Sequence, residues 1–221
     1  MRRPRRRKLL ERPQHKLTLG ISHPMAWKEG DDTFRCMDSG FEVTKPSSWY
    51  FMPGAWMKPG QERLVAASEQ GQAQFASLRA PLVAFRKAHD VSGEMCPTAQ
   101  VRRSVLPLDV SAPELAASVR ASLPDLLQEC RLLELSDTAI LAGRRGVRFC
   151  AEYVAVSDTA DGERVACDCR VTSHAIRIGP YVITLAVTTP IREDLRESED
   201  VGGIFASARV AHIAGMPNDG W

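Results

Sequence analysis

The chain has 221 residues, 44% of them hydrophobic and 25% charged, long enough to bury a core without disulfide or metal staples. Residues 1–16 hold eight Lys and Arg against one acid, Glu11, for a net of +7; residues 17–221 hold 21 basic against 26 acidic side chains, for −5. A basic arm thus leads into a mildly acidic body, and no run approaches the ~18–20 apolar residues that a membrane-spanning helix needs.

Arg2, Arg3, Arg5, Arg6, Arg7 and Lys8 resemble the start of a secretory signal, but Leu9 and Leu10 run straight into Glu11, Arg12 and Pro13. No apolar stretch of ~7–15 residues follows, so the expectation is a soluble, cytoplasmic protein with a flexible arm over residues 1–30. The six cations could tether the chain to an anionic partner: nucleic acid phosphates, an anionic membrane or an acidic protein. No aromatic side chain occurs in residues 1–26 to stack on bases, so sequence-specific nucleic-acid binding is not expected.

Ordered structure is expected to begin near Phe34. The segments Phe34 to Met37 and Phe41 to Lys45 flank Asp38-Ser39-Gly40, a turn-forming trio, and read as a hairpin. Trp49 to Met52 forms a further short strand before Pro53-Gly54 and Pro59-Gly60 break the chain. Leu64 to Ser68, Pro81 to Lys87 and Val101 to Leu106 are the next candidate strands, with a polar, Gln-rich stretch after the first. Ser111-Ala112-Pro113-Glu114 is a capping box with proline in the first turn, and Leu115, Val119, Leu126 and Leu127 continue one helical face. Pro124 predicts a kink or restart near Ser122.

After Cys130 the hydrophobic period switches to 2. Strands are expected at Leu132 to Ser136, Gly146 to Val156, Glu163 to Ile176 and Tyr181 to Thr188, with turns at Asp161-Gly162 and Gly179-Pro180. Thr189-Pro190 opens a C-terminal helix running through Leu195 toward Phe205. Val147, Phe149, Ala151 and Tyr153 share one strand face, and Val165, Cys167, Cys169 and Val171 share one face of the next. This predicts an α+β layer arrangement: an antiparallel sheet buried under helices on one face and wetter on the other. The domain limits are 1–30 for the arm, 31–210 for a single folded domain and 211–221 for a tail.

Four pieces of this order are similar to the PsbP/DcrB-like superfamily: Gly40-Phe41-Glu42-Val43 with Pro46-Ser47-Ser48-Trp49; Pro97-Thr98-Ala99-Gln100-Val101 before the capped helix; Gly143-Arg144-Arg145-Gly146-Val147-Arg148-Phe149; and the final helix ending in Ser207-Ala208-Arg209-Val210. The resemblance covers residues 34 to 210 and implies an α/β sandwich built on a central antiparallel sheet. It also implies binding without a shared catalytic motif, as in photosystem accessory subunits, bacterial lipoproteins and chaperone-adaptors of secretion effectors.

The residues themselves supply few chemical signatures. Cys167 and Cys169, two apart on a strand, share a face with Val165 and Val171 and are expected to be buried, reduced core residues; zinc sites space cysteines further apart and add a second pair. All six cysteines are expected to be free thiols. His174 stands beside Ser173, but no Gly-x-Ser-x-Gly loop accompanies it. No cofactor, metal or catalytic residue is assigned. The segment Trp49 to Met57 concentrates large apolar side chains: if Trp49 and Phe51 face the core, Tyr50 and Met52 face out, and Trp56 and Met57 follow the break. Tyr50, Met52, Trp56 and Met57 are therefore the candidate contacts for a partner protein or apolar peptide. The expected function is a non-catalytic adaptor, chaperone or accessory subunit. The alternative is an enzyme whose Glu152, Asp168 and His174 converge on the second sheet face.

Overall fold

A computed structural model describes residues 31–53, 64–87, 96–158, 163–211 and 221. Ten strands form two antiparallel sheets. The small sheet has the order β1-β2-β10, from Thr33–Cys36, Phe41–Thr44 and Arg209–Val210. The large sheet has the order β3-β4-β5-β9-β8-β7-β6, from Trp49–Pro53 (β3), Val83–Lys87 (β4), Thr98–Val105 (β5), Gln128–Leu141 (β6), Arg144–Asp158 (β7), Arg164–Ile178 (β8) and Tyr181–Pro190 (β9). Three α-helices complete the described fold: α1 over Glu69–Ser77, α2 over Ala112–Leu126 and α3 over Asp194–Ser207, the last preceded by a 3-10 turn at Ile191–Glu193. This is the α+β antiparallel sandwich that the sequence pattern implies.

Strand alternation decides which side chains meet. In β1 and β2, Phe34, Cys36, Phe41 and Val43 point inward, while Arg35 pairs with Glu42 on the outer surface. The inward set packs with Trp49, Phe85, Val101, Ile183, Leu185 and Ile204 in one hydrophobic cluster between the small sheet, α3 and the large sheet. Two polar ties fix the layers. The Trp49 indole Nε1 donates to Asp200 Oδ2 at 3.0 Å, joining β3 to α3, and the Thr44 amide donates to Ser207 Oγ at 3.0 Å.

This cluster corrects one expectation. The face opposite Val147 and Val171 is not simply the wetter one, because the strands beyond the β7–β8 hairpin, β9, β5, β4 and β3, carry the larger hydrophobic cluster on it. The sheet is buried on both faces. At the β6–β8 end that second face is polar, with Arg148 paired to Glu134, and Arg131 and Arg170 both paired to Glu152.

The capped helix forms as its sequence dictates: Ser111 Oγ accepts from the Glu114 amide and Glu114 Oε2 accepts from the Ser111 amide at 2.7 Å. No restart occurs near Ser122. Pro124 sits in the last turn of α2, which continues to Leu126. The stretch Leu64 to Ser68 makes a single bridge, Leu64 to Ser157, and no strand. Ser68 instead caps α1, accepting from the Gly71 amide at 3.0 Å. The β6–β7 hairpin turns through Ala142 and Gly143 with φ +53° and +75°, the left-handed pair that matches strand twist in a tight turn.

Candidate functional site

The helices α1 and α2 lie on the face of the large sheet that carries Val147, Ala151, Cys169 and Val171. Paired residues in an antiparallel sheet point the same way, so the register defines rows across this face. One row runs Met52, Ala84, Gln100, Ala186, Ser173, Phe149; the next runs Tyr50, Arg86, Thr98, Thr188, Val171, Ala151. Tyr50 is 50% exposed on the edge strand β3, and Met52 is half-buried. Thr98, Ala186 and Thr188 between the edge and the centre are also half-buried, so small side chains form the floor there.

Beside this floor is a cavity of about 190 Å³, roofed by Phe75 of α1, by Leu78 at its C-cap and by Leu126 and Leu127 where α2 ends, and floored by Gln100, Arg102, Tyr153 and Ala155. Met52 stands two strands from Gln100 in the same row, about 10 Å away at ordinary strand spacing. The cavity depends on the close approach of α1 and α2. A Cβ on Gly71 would stand 1.8 Å from the Asp125 carbonyl oxygen, and the Ser68 amide donates to that same oxygen at 3.1 Å. Leu78, 46% exposed, ends α1 at the cavity wall.

The polar groups of the cavity are donors held in place. Arg102 Nη1 donates to the Arg79 carbonyl at 2.7 Å and Nη2 to Gln100 Oε1 at 2.9 Å, and burial lowers the pKa of its guanidinium. Burial pushes the Tyr153 phenol well above its ordinary range, with a hydrogen bond to Thr188 opposing the shift, so it is a neutral hydroxyl at pH 7. The residues lining the cavity include no His, Cys, Asp or Glu. This is chemistry for holding an apolar side chain and orienting a carbonyl beside it.

The alternative set does not converge. Glu152, Asp168 and His174 do share the opposite sheet face, since Glu152 pairs with Arg170, Asp168 with Val154 and His174 with Arg148. But six residues of strand, roughly 20 Å, separate Asp168 from His174. The Glu152 carboxylate is held below its usual range by hydrogen bonds from Arg170 and Arg131, an ion-paired state and not that of a proton donor. The His174 ring packs on Phe205 of α3 at 4.9 Å, and burial, with Arg148 nearby, lowers its pKa to about 4. Among the described residues no group of three or more His, Cys, Asp or Glu is placed to hold a metal.

The cysteine expectation needs one correction. All six are free thiols and Cys169 is fully buried, but Cys167, near the start of β8, is half-buried. Trp56 and Met57, like the arm cations Arg2 to Lys8, lie outside the described residues. Sequence reading missed the cavity because α1 has one large apolar residue, Phe75, among glutamines and small side chains. The signal available was Ser68 followed by Glu69, an N-cap and a first-turn acid ahead of residues free of β-branching.

No protein-family model matches the chain, and no curated protein does. Solved structures are partly similar to it. LpqN of Mycobacterium tuberculosis, involved in cell envelope biogenesis, is 12% identical with a TM-score of 0.49, over 78% of this chain and 83% of that one. PsbP (CyanoP) of Synechocystis sp. PCC 6803 is 14% identical with a TM-score of 0.45, over 88% and 96%. The Ran-binding protein Mog1p of Saccharomyces cerevisiae is 8% identical with a TM-score of 0.44, over 80% and 94%. Likeness at these identities and TM-scores carries no inference about function. In the described residues no helix is long and apolar enough to cross a membrane.

Proposed function

We propose that this protein is a non-catalytic binding protein, an adaptor, chaperone or accessory subunit, that seats an apolar segment of a partner protein on the helix-bearing face of its large sheet. The observation that carries the reading is the alignment of three features on one face: exposed Tyr50 with Met52 at the β3 edge, a floor of small half-buried side chains, and an apolar cavity beyond it. An incoming Leu, Met or Phe side chain entering the cavity would gain ~1.5–3 kcal/mol from burial. The Arg102 and Gln100 amide and guanidinium groups would orient the backbone that carries it. Trp56 and Met57, which follow Pro53 in the sequence, are the further proposed partner contacts, and Arg2 to Lys8 the proposed charge-driven tether to an anionic surface.

The test is a double variant, Tyr50→Ser with Leu78→Ser, compared with the parent chain for affinity toward the protein that copurifies from native cells. Both side chains are about half exposed, so folding should be little affected. The reading expects affinity to fall by at least ~2 kcal/mol, about thirtyfold. Unchanged affinity, or a catalytic rate abolished by changing Glu152 or Asp168, would refute it.

A further inference from the structure

A separate part of the same sheet face carries an unexplained charge. Arg177, six residues along β8 from the Tyr50 row, is only 5% exposed. Its Nη2 donates to the carbonyls of Pro107 at 3.0 Å and Val110 at 3.1 Å, while Nε and Nη1 are buried without a hydrogen-bond partner. Among the described residues no carboxylate pairs with it. A buried guanidinium with unused donors is costly, and such a group calls for a partner that completes it.

The surroundings describe that partner. The Trp221 ring lies 5.3 Å from the Arg177 guanidinium, and its Nε1 donates to the Val110 carbonyl at 3.0 Å. The ring packs against a small apolar cluster of Ala112, Ala116 and Val147, where the alanines of α2 leave room for a flat bicyclic group. The notch presents a cationic face for an aromatic ring and an acceptor for a ring N–H, and belongs to a guanidinium whose Nε and Nη1 have no partner. Trp221 takes up the first two and leaves those donors unused.

We propose that this notch is a binding site for an indole-type aromatic carboxylate, free or as a tryptophan beside an acidic residue in a peptide, and that Trp221 is its resident competitor. The ligand ring replaces the Trp221 ring on Arg177, its N–H takes over the Val110 carbonyl, and its carboxylate accepts from the donors that the indole alone cannot use. The site is independent of the cavity near Tyr50, and its failure would leave the proposed function standing.

Calorimetric titration of the full chain and of Trp221→Ala with indole-3-propionate, its neutral amide, and a blocked Asp-Trp dipeptide tests this. Trp221→Ala should bind indole-3-propionate at least tenfold more tightly than the full chain does, and at least tenfold more tightly than it binds the amide. Arg177→Gln in the Trp221→Ala background should abolish that preference. Tighter binding of the dipeptide than of the free acid would assign the site to a peptide, and the reverse to a small molecule. Absence of saturable binding to Trp221→Ala, or equal affinity for acid and amide, would overturn the proposal. So would unfolding of Trp221→Ala, which would make Trp221 a core residue. If Arg177→Gln does not fold, the acid-to-amide ratio in Trp221→Ala decides alone.

Discussion

Replacing Gly71 with alanine tests whether the cavity wall is built by helix contact. The added Cβ would lie 1.8 Å from the Asp125 carbonyl oxygen and 2.5 Å from its carbon, where real contacts essentially never fall below 3.0 Å. The two helices must therefore part by more than ~1 Å. Overpacking of this kind costs ~1–3 kcal/mol, and straining the Ser68 hydrogen bonds to the same oxygen adds up to ~1 kcal/mol. Alanine returns ~1 kcal/mol through its higher helix propensity. The net is a loss of ~2 kcal/mol, or roughly 4–8 °C in the midpoint of thermal unfolding for a chain of this size. Gly202→Ala and Gly203→Ala in α3 are the controls, since a Cβ at either meets nothing within 4 Å. Each should raise the midpoint by roughly 1–4 °C. Gly71→Ala unfolding at or above the parent temperature would refute the close packing of α1 on α2.

Thiol labelling of the native protein should modify Cys167 well before Cys169, because Cys169 is fully buried and burial raises its thiol pKa; equal rates would contradict the placement of β8. His174 makes stability depend on pH. Its folded pKa of about 4 lies below the ordinary 6.5, so as pH falls below 6.5 the unfolded chain takes up a proton that the folded chain does not. The stabilisation is complete above about pH 6.5 and is lost as pH drops toward 4, by ~1–2 kcal/mol after allowance for the partly exposed ring. Thermal unfolding at pH 7 and pH 5 should show a smaller drop for His174→Asn than for the parent. An identical drop would remove His174 as its cause.

What the sequence disclosed follows from where local chemistry decides structure. The Asp38-Ser39-Gly40 turn, the Ser111 capping box and the alternation in β7, β8 and β9 are local signals, and each element stands where they place it. The parity of Trp49 to Met52 likewise holds, with Trp49 at 1% exposure and Tyr50 at 50%. Helix α1 was not legible in this way: its stability comes from packing Gly71 on the Asp125 carbonyl, a contact between residues over fifty positions apart. The same is true of the second buried face, which only the pairing of β9 with β5 and β5 with β4 creates. Arg177 reads as an ordinary strand-end cation until Pro107, Val110 and Trp221 close around it.

Site-specific photo-crosslinking in native cells tests the binding face most directly. A photoreactive phenylalanine analogue would replace Tyr50 or Leu78 on the helix-bearing face, or Arg35 on the outer surface of the small sheet. The account expects one protein to be crosslinked from both Tyr50 and Leu78 and not from Arg35. Crosslinks to a partner from Arg35 alone, or none from Tyr50 and Leu78, would contradict it.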